Sequence, residues 1–440
     1  MDRGMAVQAQ VPVYRVRYSS WIDGLLFFIG LGSFYHINLV GELYPTELAL
    51  AALGPVIWLE KRRWLAARPV STLLLMLGVW LFAQICTDLI RHTPAMDMAR
   101  GWAAITVFFV DFAVIYMLVS ERPRRVYLLL FGYALGWLVQ PIVQPSIYFS
   151  GEPWKFGFGY PFTLLVFTWI GWRCGADIRR MRRYVPFLLL LGLLSIYLHA
   201  RSLGGFTILA AVLIGLRASR FGEQLRQRIS FGKMVAFVII LGVSVTGLKQ
   251  LYGHAAEQGW LGEEARMKYE IQATGKLGLL IGGRIEMIPA LFAVMDSPII
   301  GHGSWPKDPK YRKYLLFLLD LGYQRDKGQL KYAIEHSDLI PAHSHLLQAW
   351  VWAGILGAAF WVFVWIWVVK IAWHSFRTPN VLFAPLVFLA LLSIWDVLFS
   401  PFGSMTRFAW ALKLTVLFIS WRFVRAEKRY MSLAATSVCV

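Results

Sequence analysis

The chain has 440 residues, 58% of them hydrophobic and 16% charged, with a mean hydropathy of +0.56. Soluble domains are near half apolar and a quarter charged, so both departures exclude an ordinary water-soluble protein and point to a polytopic membrane protein. The net charge of +19 does not imply nucleic acid, because Lys and Arg of such proteins gather in cytoplasmic loops and their sign reports topology.

The segment up to Tyr18 is polar and basic and has no cleavable-signal pattern, so the first apolar run reads as a retained span. A crossing needs about 20 apolar residues. That length predicts twelve spans, near 20–40, 44–60, 70–90, 101–120, 126–147, 158–174, 185–200, 203–217, 233–250, 345–370, 380–399 and 406–423. Alternate loops carry Lys61-Arg62-Arg63, Arg122 to Arg125, Arg179 to Arg183, Arg217 to Arg228, then Lys370 and Arg377, and the tail carries Arg422, Arg425, Lys428 and Arg429. With twelve spans, all of these and the basic N-terminal tail fall on one side, which predicts that both termini are cytoplasmic. The expected fold class is therefore all-α. It divides into a bundle of about nine spans (1–248), a large external loop (249–344), and three spans with a cytoplasmic tail (345–440).

The external loop is mixed in charge and long enough to escape the positive-inside rule. Amphipathic pieces are predicted over 263–273, 284–295 and 311–321, the last too short to span and suited to lying on the outer leaflet. A loop of this length is usually functional.

His343 stands where this polar segment turns into the apolar run of the tenth span. At such a boundary an imidazole can be tuned for proton transfer; the plainer reading is an interfacial histidine, with Ser344 a helix cap. Gly354 and Gly357 lie further in, with the spacing that lets helices pack closely. His336, His343 and His345 raise a metal site, but no carboxylate or cysteine set completes a shell, and Cys86, Cys174 and Cys439 form no ligand or disulfide pattern. Arg201 is a lone cation at the external end of the seventh span, and Arg284 opens an amphipathic helix, where its charge opposes the dipole. Each suits bidentate phosphate binding or, equally, a headgroup contact or salt bridge. Asp111 and Lys413 fall inside spans, where ionisable groups are costly and usually paired or functional. A pair between them is possible. Asp396 and Arg407 flank the last external loop and are placed to line one cavity, and Tyr148 and Lys155 are similarly external.

Three segments resemble the O-antigen ligase and O-antigen polymerase group of bacterial envelope proteins. His343-Ser344, nine residues and Gly354-Ile-Leu-Gly357 is similar to the ligase signature of His, a polar residue, nine residues and Gly-x-x-Gly. Gly283-Arg284-Ile-Glu-Met-Ile-Pro-Ala-Leu, continuing to Pro298-Ile-Ile-Gly301-His-Gly303, resembles the family's Arg-bearing helix and Pro-x-x-Gly-x-Gly turn. Arg201-Ser-Leu-Gly-Gly resembles its external arginine before a small-residue helix. The resemblance implies a GT-C-like, metal-independent and ATP-independent glycosyltransferase of the bacterial inner membrane that uses no cofactor. It would move glycan from an undecaprenyl-pyrophosphate donor to the lipid A-core oligosaccharide at the periplasmic face. On that resemblance His343 is the general base and Arg201 and Arg284 bind pyrophosphate, with inversion at the anomeric carbon; membrane lipids are partners and nucleic acid is not. A polymerase of the same group is the nearest alternative, a protein O-glycosyltransferase is a more distant one, and a lipid-linked glycan transporter is the alternative from another class.

Overall fold

The computed structural model describes residues 20–38, 41–145, 149–219, 222–223, 254, 258, 260, 286–318 and 338–437. Within them the chain is mostly helical. The elements in order are α1 (Ser20–Gly32), a two-stranded hairpin of β1 (Ile37–Asn38) and β2 (Glu42–Leu43), α2 (Pro45–Lys61), α3 (Val70–Arg91), α4 (Ala95–Val119) and α5 (Pro123–Val143). A π-helical turn at Trp154–Phe158 leads into α6 (Gly159–Cys174), followed by the short α7 (Ile178–Arg182), α8 (Val185–Tyr197) and α9 (Arg201–Arg217). Then come α10 (Met287–Asp296), α11 (Pro309–Leu318), α12 (His345–Arg377), α13 (Phe383–Phe399) and α14 (Ser404–Ser437).

Helices stand on eleven of the twelve expected spans; the ninth, 233–250, lies outside the described residues. Four of them, α3, α4, α5 and α12, are long and apolar enough to cross a membrane, and α1, α8 and α13 are shorter apolar helices. The chain is thus a mostly helical membrane protein. The first expected span is shorter than its apolar run: α1 ends at Gly32 and the chain then turns into the hairpin. The outer pieces near 284–295 and 311–321 appear as α10 and α11, and the piece at 263–273 lies outside the described residues.

Successive helices run in opposite directions, so the bundle has two chemically different ends. The basic clusters gather at one. There Arg125, 1% exposed, reaches Asp23 of α1 at 2.9 Å and Glu121 at 3.0 Å, and Lys61 meets Glu121 at 2.5 Å. Burial alone would push the Glu121 carboxyl up, but the hydrogen bonds and charges of Lys61 and Arg125 outweigh it and hold it below the usual range. Arg217 caps the chain after α12 at the Thr378 carbonyl (2.6 Å), and Arg422 does the same for Ser120 (2.8 Å). The opposite end, which the sequence expects to face outward, carries the hairpin, α10, α11 and the start of α12.

Lipid tails are as apolar as leucine, so helix association rests on close packing. A Cβ at Gly30 would meet the Leu129 carbonyl and the Tyr133 amide, and this lets α1 lie backbone to backbone against α5. Between α3, α4, α12 and the α13–α14 loop the core is aromatic: Trp80 stacks on Phe360 at 5.0 Å, and Phe108 and Phe402 close around Trp361.

Candidate functional site at the mouth of α12

The outer start of α12 is fixed by anchors on both sides of His343. Ser344 is the N-cap, accepting the Leu347 amide at 3.2 Å as its position in the sequence suggests, and its hydroxyl donates to the Val397 carbonyl of α13 at 3.0 Å. His345 is fully buried. Trp410 donates to its Nε2, so its Nδ1 carries the proton and donates to the Ser400 carbonyl. Gln348 bonds the Phe402 amide and carbonyl together, each at 2.8 Å. On the upstream side, Ile340 and Asp338 pair with Pro306 and Asp308. His343 sits between these anchors, half-buried, so its backbone is positioned from both sides. Of the three histidines that raise a metal site, His345 has both ring nitrogens engaged and His336 lies outside the described residues. Among the described residues no three His, Cys, Asp or Glu side chains stand within metal-holding range of one another.

Nine residues further on α12 breaks. Gly354 has φ 64 and ψ −159, which leaves backbone groups on both sides without helical partners. The Pro298–Gly303 turn supplies them. His302 and Gly303 amides donate to the Val351 and Trp352 carbonyls at 2.7 and 3.1 Å, and the Ile355 amide donates to the Ile299 carbonyl at 3.3 Å. The Trp350 indole adds a bond to the Pro298 carbonyl at 2.8 Å. A Cβ on Gly354 would strike the Ile299 carbonyl. The expectation at Gly354 and Gly357 is close packing, and the nearest groups are backbone. Gly354 makes a close approach, but to the backbone of the turn. Gly357 sits over the Ala349 carbonyl of its own bent helix.

From the other side the turn is gripped by α3. Thr87 donates to the Ile300 carbonyl at 2.6 Å, and Arg91 donates to the Gly301 carbonyl at 2.9 Å and the Ser297 hydroxyl at 2.6 Å. Asp88, fully buried, accepts from the Ser304 amide (2.6 Å), the Ser304 hydroxyl (2.7 Å) and the Trp102 indole (2.7 Å). Sequence reasoning does not single out these three residues. The available signal is Thr87-Asp88-Leu-Ile-Arg91, a polar trio in the last turn of an apolar helix. Asp88→Ala would strand three donors at about 1–3 kcal/mol each. The expected result is a large drop in the apparent melting temperature of the detergent-solubilised protein, followed by tryptophan fluorescence.

The turn also carries α10 and α11 against the mouth. Ala290, Ala293, Val294, Tyr311, Ile340, Leu347 and Val351 form one apolar cluster, with Met287 and Ala342 packed on it. Asp296 joins α10 to α11, meeting Lys310 at 2.6 Å and the Tyr311 hydroxyl at 2.5 Å. These bonds hold the Asp296 carboxyl below its usual range, and burial together with Asp296 pushes the Tyr311 hydroxyl up.

Arg201 is the first residue of α9, half-buried at the same outer end. Phe206, just over a turn on, meets Trp395 of α13 edge-on at 5.4 Å, and α13 ends at the Val397 and Ser400 carbonyls that anchor Ser344 and His345. The helix that Arg201 opens and the chain just after His343 therefore both pack on α13. Arg284 and Tyr148 lie outside the described residues, and Lys155 is paired with Glu152 at 2.7 Å. An Asp111–Lys413 pair does not form: Lys413 meets Asp396 of α13 at 2.6 Å, and Arg407 binds Glu47 of α2. Side chains on neighbouring helices settle these partners, and sequence distance does not order them. In comparisons with known proteins, neither a protein-family model nor a curated protein matches this chain.

Proposed function

We propose that the protein is an inner-membrane glycosyltransferase of O-antigen ligase type, moving glycan from a polyprenyl-diphosphate donor to a sugar hydroxyl of the lipid A core. In this reading the chain crosses the membrane twelve times with both termini cytoplasmic, and the outer end faces the periplasm. The gathering of Lys and Arg at the opposite end supports that orientation.

The observation that carries the reading is the shared packing of Met287 and Ala342. Ala342 precedes His343 and Met287 belongs to the second motif of the resemblance, so the two motifs share one apolar cluster, while the helix that Arg201 opens packs on α13. Chemically the set suffices. The diphosphate is already a good leaving group, so the protein has to hold its charge and neutralise what develops as the glycosidic bond breaks, a task for Arg201 and Arg284. The acceptor hydroxyl loses its proton as it attacks, and His343 accepts it. Attack opposite the diphosphate inverts the anomeric carbon.

The test is transfer by purified protein between a lipid-linked donor and a lipid A-core acceptor. Arg201→Lys keeps the charge and loses the bidentate fork, and is expected to lower transfer about 10-fold to 100-fold, the worth of a charge-assisted hydrogen bond. Unchanged transfer in that variant removes Arg201 from phosphate binding. Failure of the wild type with this acceptor, together with elongation of the donor itself, assigns the polymerase instead.

A further inference from the structure

At the junction of α2, α4 and α14, beside the hairpin, the buried charges do not balance. Arg407 of α14 is a fork on Glu47 of α2, with Nε 2.7 Å from Oε1 and Nη2 on Oε2, and it donates further to the Glu42 carbonyl at 3.1 Å. Lys413 is taken by Asp396. These two buried cations are therefore each matched to one carboxylate. Asp111 of α4 remains. It is 0% exposed, neither carboxyl oxygen receives a donor, and the neighbour within hydrogen-bonding reach is another carboxyl, that of Glu47.

We infer that Asp111 and Glu47 hold one proton between them, which makes the junction of α2, α4 and α14 a proton-binding site. An ionised Asp111 here would be a desolvated charge with no donor, beside a like charge, and both disfavour it. Two carboxyls in contact relieve this by sharing a proton. Asp111 is the one that carries it, because Glu47 already accepts two guanidinium N–H groups and Asp111 accepts none. As a neutral acid Asp111 donates to Glu47, and the group becomes Asp111–OH, Glu47 carboxylate and Arg407 guanidinium, with no net charge. The other ionisable groups around it are committed. Toward the outer end, Tyr44 donates to Glu42 at 3.3 Å and Ser404 donates to the same carboxylate. On α3, Asp88 is occupied by Ser304 and Trp102. Tyr133 of α5 and Tyr160 of α6 stand on the side of Asp396.

Proton retention fixes the sign of the pH dependence. The folded protein holds a proton that an unfolded aspartate, with a pKa of about 3.9, releases at neutral pH. Stability is therefore lost as pH rises toward the folded-state titration of the pair. Asp111→Asn keeps the shape, the donor and the neutrality without a titrating proton.

The experiment is infrared spectroscopy and pH-dependent thermal unfolding of the purified full chain. The wild type is expected to show a carboxylic-acid C=O band near neutral pH that Asp111→Asn lacks. The advantage of the variant in apparent melting temperature is expected to grow as the pH is raised. A wild-type spectrum without that band, or an equal band in Asp111→Asn, overturns the site. If the variant does not accumulate, wild-type protein grown on isotopically labelled aspartate decides the matter: a shifted acid band supports the site, and its absence overturns it.

Discussion

His343→Ala is expected to lower glycan transfer about 10²-fold to 10⁴-fold, the range a positioned general base contributes, while leaving accumulation and thermal stability near wild type. The separation of activity from stability rests on how the mouth of α12 is built. Its hold on the bundle passes through Ser344, His345 and Gln348, which tie it to Val397, Ser400 and Phe402. His343 is half-buried between these anchors and the Asp338–Ile340 pairing, so truncating it opens no closed cavity. His345→Ala is the matched contrast. It removes a fully buried ring among Trp361, Phe402 and Trp410 and strands the Trp410 indole, so the loss should appear first in stability, at about 3–5 kcal/mol for a large buried side chain. Full transfer by His343→Ala would withdraw the base assignment; equal loss of stability in both variants would make the two histidines structural alike.

Gly354→Ala is expected to cost both stability and activity. An alanine at φ 64 and ψ −159 is strained by about 1–3 kcal/mol on its own, and its methyl group would strike the Ile299 carbonyl. Relief requires the turn to lift from α12, and the amide bonds of His302, Gly303 and Ile355 then go with it. The combined effect is about 3–5 kcal/mol, at the upper end for a point substitution. It is read as a lower apparent melting temperature and faster proteolysis around residues 297–308. Gly205→Ala is the control: Gly205 is exposed, with nothing within 4 Å of the added methyl. Wild-type stability in Gly354→Ala would mean that the break is a soft bend and not a docking point.

Most of the helices are legible because each stands on an apolar run, and length against bilayer thickness is a strong constraint. The cap at Ser344 and the placement of His343 came from the same boundary between polar and apolar chain. The partners of the buried charges were not legible. Lys413 and Asp111 both read as intramembrane ions, yet Lys413 meets Asp396 and Asp111 lies against Glu47, because helix register and rotation decide which side chains face each other. The role of Gly354 was hidden for a related reason. Glycine in an apolar helix signals close packing in general, and only the return of residues 298–303 against it shows that the close neighbour is a turn.

The break in α12 also constrains the order in which the chain can be assembled. Unpaired peptide groups around residues 351–355 would cost several kcal/mol each in hydrocarbon, and their partners belong to a turn that α3 holds in place. Synthesis from the amino end delivers α3 first, then the turn, then α12. The tenth expected span therefore arrives at a receptacle already laid down, whereas a permuted chain that released α12 ahead of α3 would present it to the lipid with those groups bare.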